Sequence, residues 1–347
     1  MIKKISLAAL ALTMTASTTL AATNITWWHG MGGRNGEVIN ELAQKFNAAQ
    51  SECAITPVSK GSYEEALSAG IAAFRAGNAP HIMQVFEVGT ATMMSAKGAI
   101  KPVQDLMKDA GETFDPKAYL PAITGYYSTT KGEMLSFPFN SSSTVMWYNK
   151  DAFKKAGLNA DAAPKTWPEV FDAAKKLKAA GYDKCGFSNA WVTWVNVEQL
   201  GAWHNEPVGT KANGFEGFDT EFVFNKGVFL KHLTNLVEMQ KDKTYDYSGR
   251  TNTGEGRFTS GECPIFLTSS AFFGNVRANA KFDWGNAPMP YYPAELDHRR
   301  RFALGDGWQE GRRVQGRRQV LHLPVRCRPP GEAAYGIRLS ADHQGGL

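Results

Sequence analysis

The sequence predicts an α/β protein with two domains and largely parallel sheets. This prediction rests on the length of 347 residues, on a content of 43 % hydrophobic and 12 % aromatic residues, and on a strand, loop and helix order that repeats along the chain. The length suits two domains, and the apolar content is enough to form substantial cores. Alternation of strands with helices is typical of α/β folds, in which helices cover parallel strands.

The first predicted elements alternate between strand and helix. Residues 24–30, NITWWHG, are rich in β-branched and aromatic side chains, which predicts a strand. Residues 36–50 predict a helix by their apolar spacing. The expected apolar face of this helix consists of Val38, Ile39, Leu42 and Phe46. Residues 66–77 predict a second helix, and residues 79–89, which contain Pro80 and end at Gly89, predict a buried strand.

A second series of elements starts near the middle of the chain. Residues 143–149, STVMWYN, predict a strand, and residues 151–157, DAFKKAG, predict a short helix. A longer helix is expected over residues 166–181, because Thr166 and Glu169 have the spacing of a capping box. In the same segment Pro168 lies in the first turn and Gly181 follows the end. The stretch FPFNSSS, residues 137–143, is the expected crossing between the domains.

The N-terminus predicts an export signal over residues 1–21. Lys3 and Lys4 precede an apolar run, and Thr19, Leu20 and Ala21 form a cleavage-type ending. The run is too short and too polar to span a bilayer, so we expect a mature protein that is soluble outside the cytoplasm. The absence of cysteine at the cleavage site argues against a lipid anchor.

The net charge of +5 comes entirely from the C-terminal part of the chain. Residues 1–298 carry 28 basic and 29 acidic side chains, whereas ten of the fifteen arginines lie in residues 299–347 and every lysine lies at or before Lys281. A reading-frame shift produces such a switch. When residues 315–326 are given permitted codons and read one base later, those codons can encode an amphipathic helix. A solvated basic tail and a nucleic-acid-binding arm remain as alternatives.

Motifs for catalysis or metal binding are weak in this sequence. The glycines of HGMGGRNGE lack the spacing of a phosphate-binding loop and predict a tight turn between a strand and a helix. There is no HExxH and no GxSxG motif. The four cysteines show no CxxC spacing, and a pairing such as Cys185 with Cys263 stays open. We therefore expect no metal, no cofactor and no catalysis, which favours a binding protein.

Features suited to ligand binding are more numerous. Trp191 and Trp194 lie three residues apart in NAWVTW, and their aromatic faces suit the C–H surface of a sugar or polyol. The alternative is that both tryptophans pack in the hydrophobic core. Glu87 interrupts an apolar predicted strand near its carboxyl end, where ligands of open α/β sheets bind. The alternative is that Glu87 is simply an exposed residue at the end of the strand. Ser141–Ser143 and residues 268–270 are two hydroxyl clusters that can bind a phosphate, although serines are frequent in ordinary turns.

Several stretches together resemble the extracytoplasmic solute-binding proteins of ABC importers, in particular the branch that binds sn-glycerol 3-phosphate. YNKDAFKKAGL is similar to the broad superfamily. The narrower motifs are KGSYEEALSAGIAAFRAGNAP and FEVGTATMM, together with NAWVTWVNVEQLGAW and TSGECPIFLTSS. The similarity weakens after about Leu304. It implies a two-lobed, hinged periplasmic binding protein of type II, with the ligand in the cleft between the lobes.

The resemblance also implies lobe boundaries and site residues. The first lobe is expected over residues 22–138 with a short return near 302–305, and the second over residues 139–301. By this resemblance, the residues expected to bind the ligand are Tyr63, Glu87, Ser142, Trp191, Trp194, Ser269 and Gly305. The serines would hold the phosphate, Glu87 the glycerol hydroxyls, and the indoles would cover the carbon chain.

The partners implied are sn-glycerol 3-phosphate or a glycerophosphodiester, an inner-membrane ABC permease and its cytoplasmic ATPase. We expect a periplasmic monomer that does not bind nucleic acid. The family continues past Leu304 with a strand and helix that residues 306–347 replace by an aberrant tail, and it extends past Leu347. We therefore expect this chain to bind the ligand weakly or not at all and to fold only marginally. A receptor for a neutral sugar and a secreted phosphodiesterase are the alternative functions.

Overall fold

The computed structural model describes residues 22–86, 89–96, 98–217 and 219–293, with the backbone of residues 325–326 and 336–337. Some sequence predictions lie outside these residues: the export signal over 1–21, Glu87, the return near 302–305 with Gly305, and almost all of the tail over 306–347. Below, residues 22–138 are called the first lobe and residues 139–293 the second lobe. Within the described chain, no helix combines the length and the apolar character needed to cross a membrane.

The first lobe contains a three-stranded parallel sheet. Its strands are β1 (Thr23–His29), β2 (Cys53–Ser59) and β3 (Ile82–Met83), in the order β2-β1-β3. Its helices are α1 (Gly33–Ala49), α2 (Tyr63–Arg75), α3 (Thr90–Ser95), α4 (Val103–Asp109) and α5 (Pro121–Tyr126), with a 3-10 turn at Pro116–Ala118. The strand–helix alternation predicted from the sequence therefore yields the expected parallel sheet.

Two local predictions in this lobe were only partly right. Helix α1 forms, but it buries Gly36, Ile39, Ala43 and Phe46, whereas Val38 and Leu42 are 36 % and 44 % exposed. Gly36 packs against the backbone of the preceding turn, where a Cβ would lie 2.9 Å from the Met31 carbonyl oxygen. Among the described residues of the strand predicted over 79–89, only β3 is strand, and its residues are half-buried. One further backbone bond joins the Gln84 N–H to the Trp28 carbonyl.

The second lobe contains a four-stranded mixed sheet. Its strands are β4 (Thr144–Asn149), β5 (Ser188–Asn189), β6 (Ile265–Ser269) and β7 (Trp284–Pro288), in the order β5-β6-β4-β7. Strands β5 and β6 are parallel, and β4 is antiparallel to both β6 and β7. The prediction of a largely parallel sheet is wrong here, because β4 enters from the first lobe and inserts between two strands that a helical crossover joins.

Helices cover this second sheet. They are α6 (Lys150–Lys155), α7 (Trp167–Ala179), a π-helix (Trp194–Gln199), α8 (Leu200–His204), α9 (Thr210–Asn213), α10 (Gly227–Lys241), α11 (Glu255–Thr259) and α12 (Phe273–Asn279), with 3-10 turns at Asn252–Gly254 and Ser270–Phe272. Farther along the chain, β8 (Val325–Arg326) pairs antiparallel with β9 (Gly336–Ile337).

The predicted capping box of α7 is present. The Glu169 N–H donates to Thr166 Oγ1 at 3.3 Å, and the Thr166 N–H donates to Glu169 Oε2 at 3.0 Å. These bonds hold the pKa of the Glu169 carboxyl below its usual value, the largest cause being a further bond from the Lys165 N–H. Gly181 follows the helix with φ +106°, the left-handed conformation that glycine adopts without strain.

The hydrophobic cores of the two lobes differ greatly in size. In the second lobe a continuous cluster around Trp167, Leu177 and Leu267 fills one face of the sheet. The first lobe has two small clusters, one around Phe46 and one around Met107. A cavity of about 1060 Å³ extends along both and reaches the apolar side chains of α2, β3 and α4. This cavity is partly open, and Phe74 in its lining is 46 % exposed, so it is a large apolar cleft and not an enclosed void.

A disulfide joins Cys185 to Cys263, with their Cα atoms 5.0 Å apart. The sequence left this pairing open. Both cysteines are fully buried and pack with Phe258 and Phe266, on the face of the sheet opposite the main cluster. The bond links residues 78 positions apart in the chain and therefore closes about half of the second lobe into one loop.

A buried polar network ties the π-helix to α10. His232 is fully buried, with Nδ1 3.0 Å from the Tyr292 hydroxyl and Nε2 3.2 Å from Asn196 Oδ1. Asn196 Nδ2 in turn donates to Asn189 Oδ1 at 3.2 Å. Burial, with a smaller contribution from His204, lowers the pKa of His232 to about 3. The neutral imidazole donates through Nε2 and accepts at Nδ1, which satisfies both neighbours.

Removing the Cys185–Cys263 disulfide is expected to destabilise the second lobe. A cross-link over a long loop restricts the unfolded chain, and its loss typically costs about 2–5 kcal/mol of unfolding free energy. The double variant Cys185→Ala/Cys263→Ala should therefore unfold at lower urea concentration, as followed by far-ultraviolet circular dichroism. An unchanged midpoint would show that the bond contributes nothing to stability.

Acid is expected to destabilise the chain through His232. Because its pKa is lower in the folded state than in the unfolded one, its contribution to stability is complete above pH 6.5 and is lost as the pH falls from 6.5 towards 3. Between pH 7 and pH 5 this one group accounts for about 2 kcal/mol. The variant His232→Gln has no titrating group at this position. The difference in unfolding free energy between the natural chain and this variant, measured by urea titration, should therefore be about 2 kcal/mol smaller at pH 5 than at pH 7. A pH-independent difference contradicts the assignment.

Candidate ligand site where the lobes meet

The predicted site residues that the structure describes come from both lobes. Tyr63 starts helix α2 in the first lobe, and Trp191 follows β5 in the second. Their ring centroids are 6.2 Å apart. The lobes also meet at the N-terminus of α1, where a Cβ on Gly33 would lie 3.5 Å from Asn275 Oδ1 of α12. Residues separated by more than a hundred positions in the chain thus form one surface.

Tyr63 is held in place by the start of α2. Ser62 and Glu65 form a capping box around it: the Glu65 N–H donates to Ser62 Oγ at 3.2 Å and the Ser62 N–H donates to Glu65 Oε2 at 2.6 Å. Gly30, at the end of β1, approaches the same backbone so closely that a Cβ there would lie 2.8 Å from the Tyr63 nitrogen. The predicted glycine-rich turn therefore sets the position of Tyr63.

The sequence analysis missed two polar side chains near the Tyr63 hydroxyl, which itself donates to Met31 Sδ at 3.0 Å. Asn140 Nδ2 lies 3.5 Å from this hydroxyl, and Gln84 Nε2 donates to Asn140 Oδ1 at 2.8 Å. Phe86 stacks on the Tyr63 ring at 5.5 Å with an interplanar angle of 10°. Gln84 interrupts an apolar run in the same way as Glu87 does, so the pattern that identified Glu87 also signals Gln84.

The two predicted hydroxyl clusters meet through the pairing of β4 with β6. Thr144 is the register partner of Ser269, and the Ser270 N–H donates to the Ser143 carbonyl at 2.9 Å. Ser269 Oγ accepts from the Ala271 N–H at 3.0 Å and begins the 3-10 turn that leads into α12. Ser142 is exposed directly before β4. These serines place hydroxyls and backbone N–H groups together at one end of the second sheet.

Trp191 has an unusual backbone conformation. Its φ is +50°, in the left-handed region that a bulky residue other than glycine rarely adopts. Its N–H donates to the Thr251 carbonyl at 3.0 Å, and its half-buried ring packs against the edges of both second-lobe clusters. Strained residues of this kind concentrate at ligand sites, where the surrounding structure holds them.

Trp194 begins the π-helix, a rare form that often marks functional positions. The Trp194 ring is partly buried against the main core. The core holds one part of the ring in place, and the exposed part can contact a ligand. At the other end of the π-helix, Gln199 Oε1 accepts from the Thr144 N–H at 3.3 Å, which links this helix to the start of β4. No sequence signal distinguishes Gln199.

The chemistry of the site is that of neutral donors. The predicted site residues described here are tyrosine, serine and tryptophan, and within the described ranges no group of three or more metal-ligating side chains occurs. Burial raises the pKa of Glu255 to about 7, against the smaller effect of a 3.0 Å bond from Thr268 Oγ1 of β6. Glu255 is therefore only partly ionised at neutral pH. Glu87 and Gly305 lie outside the described residues.

The chain is similar to known solute-binding proteins. A family model described as bacterial extracellular solute-binding protein matches residues 9–308. The sn-glycerol-3-phosphate-binding periplasmic protein UgpB of Brucella abortus (strain 2308) is 48 % identical over 284 residues, which are 82 % of this chain and 65 % of that protein. The protein of the same name from Salmonella paratyphi A is 50 % identical over 273 residues, 78 % of this chain and 62 % of that protein. The chain thus spans just under two thirds of these relatives.

Solved structures share the fold at low sequence identity. UgpB from Mycobacterium tuberculosis in complex with glycerophosphocholine superposes with a TM-score of 0.64 at 18 % identity, covering 79 % of this chain and 66 % of that one. The GacH receptor of Streptomyces glaucescens gives 0.66 at 16 % identity, covering 79 % and 68 %. The expected two-lobed fold of periplasmic binding proteins is confirmed. From the match over residues 9–308, the chain belongs to the bacterial extracellular solute-binding protein family.

Proposed function

We propose that this chain is a periplasmic receptor that captures sn-glycerol 3-phosphate and delivers it to an ABC importer. The observation that supports this proposal most strongly is the meeting of Tyr63 with Trp191, close to two serine clusters, in a chain 48 % identical to proteins named for binding this ligand. Glycerophosphodiesters are the second ligand class, since a site that recognises glycerol phosphate can leave space beyond it.

The neutral donors suit a phosphate group bound without a facing lysine. We infer that the hydroxyls of Ser142 and Ser269 hold the phosphate oxygens together with nearby backbone N–H groups, as uncharged donors can. Trp191 and Trp194 cover the C–H face of the glycerol carbons, and Tyr63 approaches the ligand from the first lobe. Glu87 accepts from the glycerol hydroxyls and Gly305 completes the site; both assignments come from the family resemblance.

The remaining assignments follow from the family. Its members are solute-binding proteins and not enzymes, and we propose that this chain likewise catalyses no reaction. Its partners are an inner-membrane permease and a cytoplasmic ATPase, and we propose that it acts as a monomer without nucleic acid. We propose lobe boundaries of 22–138, with a return near 302–305, and 139–301. Hinge closure around the ligand would then present both lobes to the permease.

The ligand preference is the direct test of this function. In calorimetric titration we expect sn-glycerol 3-phosphate and glycerophosphocholine to bind more tightly than maltose, because the serine hydroxyls have phosphate oxygens to bind only in the first two. The chain alone is expected to bind weakly. A chimaera is therefore titrated in parallel, in which residues after 293 are replaced by the unmatched C-terminal part of the Salmonella relative. Maltose binding more tightly, or a folded chimaera that binds none of the three, contradicts the proposal.

The site assignment predicts which side chains matter. Ser269→Ala should weaken sn-glycerol 3-phosphate binding about tenfold or more, since hydrogen bonds to charged groups contribute roughly 1.5–3 kcal/mol. Trp191→Ala should weaken it about threefold to tenfold, since an aromatic contact contributes roughly 0.5–1.5 kcal/mol beyond its buried area. The measurement is calorimetry in the chain or the chimaera, whichever binds. The control Ser51→Ala changes an exposed serine before β2, at the opposite end of the first sheet, and should leave affinity unchanged. Equal affinities for the Ser269 and Ser51 variants would remove Ser269 from the site.

A further inference from the structure

We propose that Arg257 is a positioning residue for Trp191: it fixes the loop over residues 246–254, whose Thr251 carbonyl holds the Trp191 backbone. The inference deepens the proposed function, on which its ligand-binding consequence rests. Arg257 is not among the residues that the family resemblance assigns to the ligand. The first step is that the Trp191 conformation needs support from outside its own segment, because φ +50° is unfavourable for a tryptophan.

One backbone bond supports Trp191 from outside its own segment, whose Val195 N–H donates to the Trp191 carbonyl at 2.8 Å. Two adjacent N–H groups point to different elements: the Ala190 N–H donates to the Leu267 carbonyl of β6 at 3.0 Å, and the Trp191 N–H donates to the Thr251 carbonyl at 3.0 Å. The first bond belongs to the sheet and the second to the loop. The orientation of the indole therefore depends on where the loop places Thr251.

The loop itself is tightly folded. Gly249 has φ +102°, and Gly254 approaches Ser248 so closely that a Cβ on it would lie 2.8 Å from the Ser248 carbonyl oxygen. Thr253 Oγ1 donates to that same carbonyl at 3.2 Å. Ser248 is thus the point around which the loop turns, and fixing Ser248 fixes Thr251.

Arg257 binds Ser248 and the acids beside it. Its Nη1 donates to Ser248 Oγ at 2.8 Å, Nη2 lies 2.8 Å from Asp246 Oδ2, and Nε and Nη2 lie 2.7 Å and 2.6 Å from Glu262 Oε1. The Arg257 and Asp246 side chains are 22 % and 14 % exposed, so solvent screens this pair less than an ordinary surface pair. Ser248 Oγ also lies 2.5 Å from Ser188 Oγ of β5.

The geometry needs a guanidinium and not merely a positive charge. Three different groups are bound at once by three nitrogen atoms of one planar fork, which a lysine ammonium cannot reproduce. If Arg257 is removed, Asp246 and Glu262 lose the positive charge between them. Ser248 loses the hydrogen bond that ties the loop over residues 246–254 to helix α11. Asp246 keeps its bonds to Lys243 and Gln240, and Ser248 keeps its contact with Ser188, so what is lost is the link between α11 and the loop that carries Thr251.

Hydrogen exchange without ligand tests the positioning role directly. In Arg257→Met the Trp191 amide should exchange at least tenfold faster, whereas the neighbouring Ala190 amide, bound to β6, should keep its protection. Arg257→Lys should give an intermediate rate, and Arg277→Met, which removes an exposed arginine of α12, should change neither amide. An unchanged Trp191 amide, or equal acceleration of both amides, overturns the proposal. This result does not depend on which ligand binds.

A double-mutant cycle then tests the consequence for binding. Arg257→Met should weaken sn-glycerol 3-phosphate binding roughly fivefold to tenfold in the protein that binds it, and should have no further effect when Trp191 is already alanine. Additive losses in the double variant would show that Arg257 acts independently of Trp191 and would overturn the inference. If no ligand binds even the folded chimaera, the proposed function fails while hydrogen exchange still decides the role of Arg257.

Discussion

The antiparallel pairing of β4 with β6 is the contact on which the candidate site depends. Strand β4 directly follows residues 137–143, and its register places Thr144 opposite Ser269. This ladder of the second lobe therefore aligns the two serine clusters, and the Thr144 N–H at its start donates to Gln199 of the π-helix. A slip of one residue would turn Ser269 to the other face of the sheet, because side chains alternate along a strand.

The two lobes differ in how completely the described residues build them. The second lobe has a continuous core, a disulfide and a buried network around His232. The first lobe has two small clusters and a large apolar cavity, which extends to Gln84 and Asn140 beside the candidate site. Rigid support for Trp191 is therefore present, whereas the support for Tyr63 rests on its capping box and on Gly30.

Local signals in the sequence predicted much of this architecture. The capping box at Thr166 and the turn of HGMGG depend on residues close in the chain, so their patterns are readable directly. The direction of β4 could not be predicted, because insertion between β6 and β7 is a long-range event. The buried face of α1 was misjudged because it includes Gly36 and Ala43, two small residues that an apolar pattern does not mark as core. Spacing drew attention to Trp191, but its strained backbone, Gln199 and Arg257 become significant only through contacts distant in sequence.

The central claim is that ligand binds where the lobes meet and not in the first-lobe cavity. A crystal structure of the chimaera grown with sn-glycerol 3-phosphate tests this most directly. The account predicts density for the ligand between Tyr63 and Trp191, with its phosphate within hydrogen-bond distance of Ser269 Oγ. Ligand density confined to the cavity lined by Ile71, Phe74 and Leu106, with none beside Trp191, would contradict it.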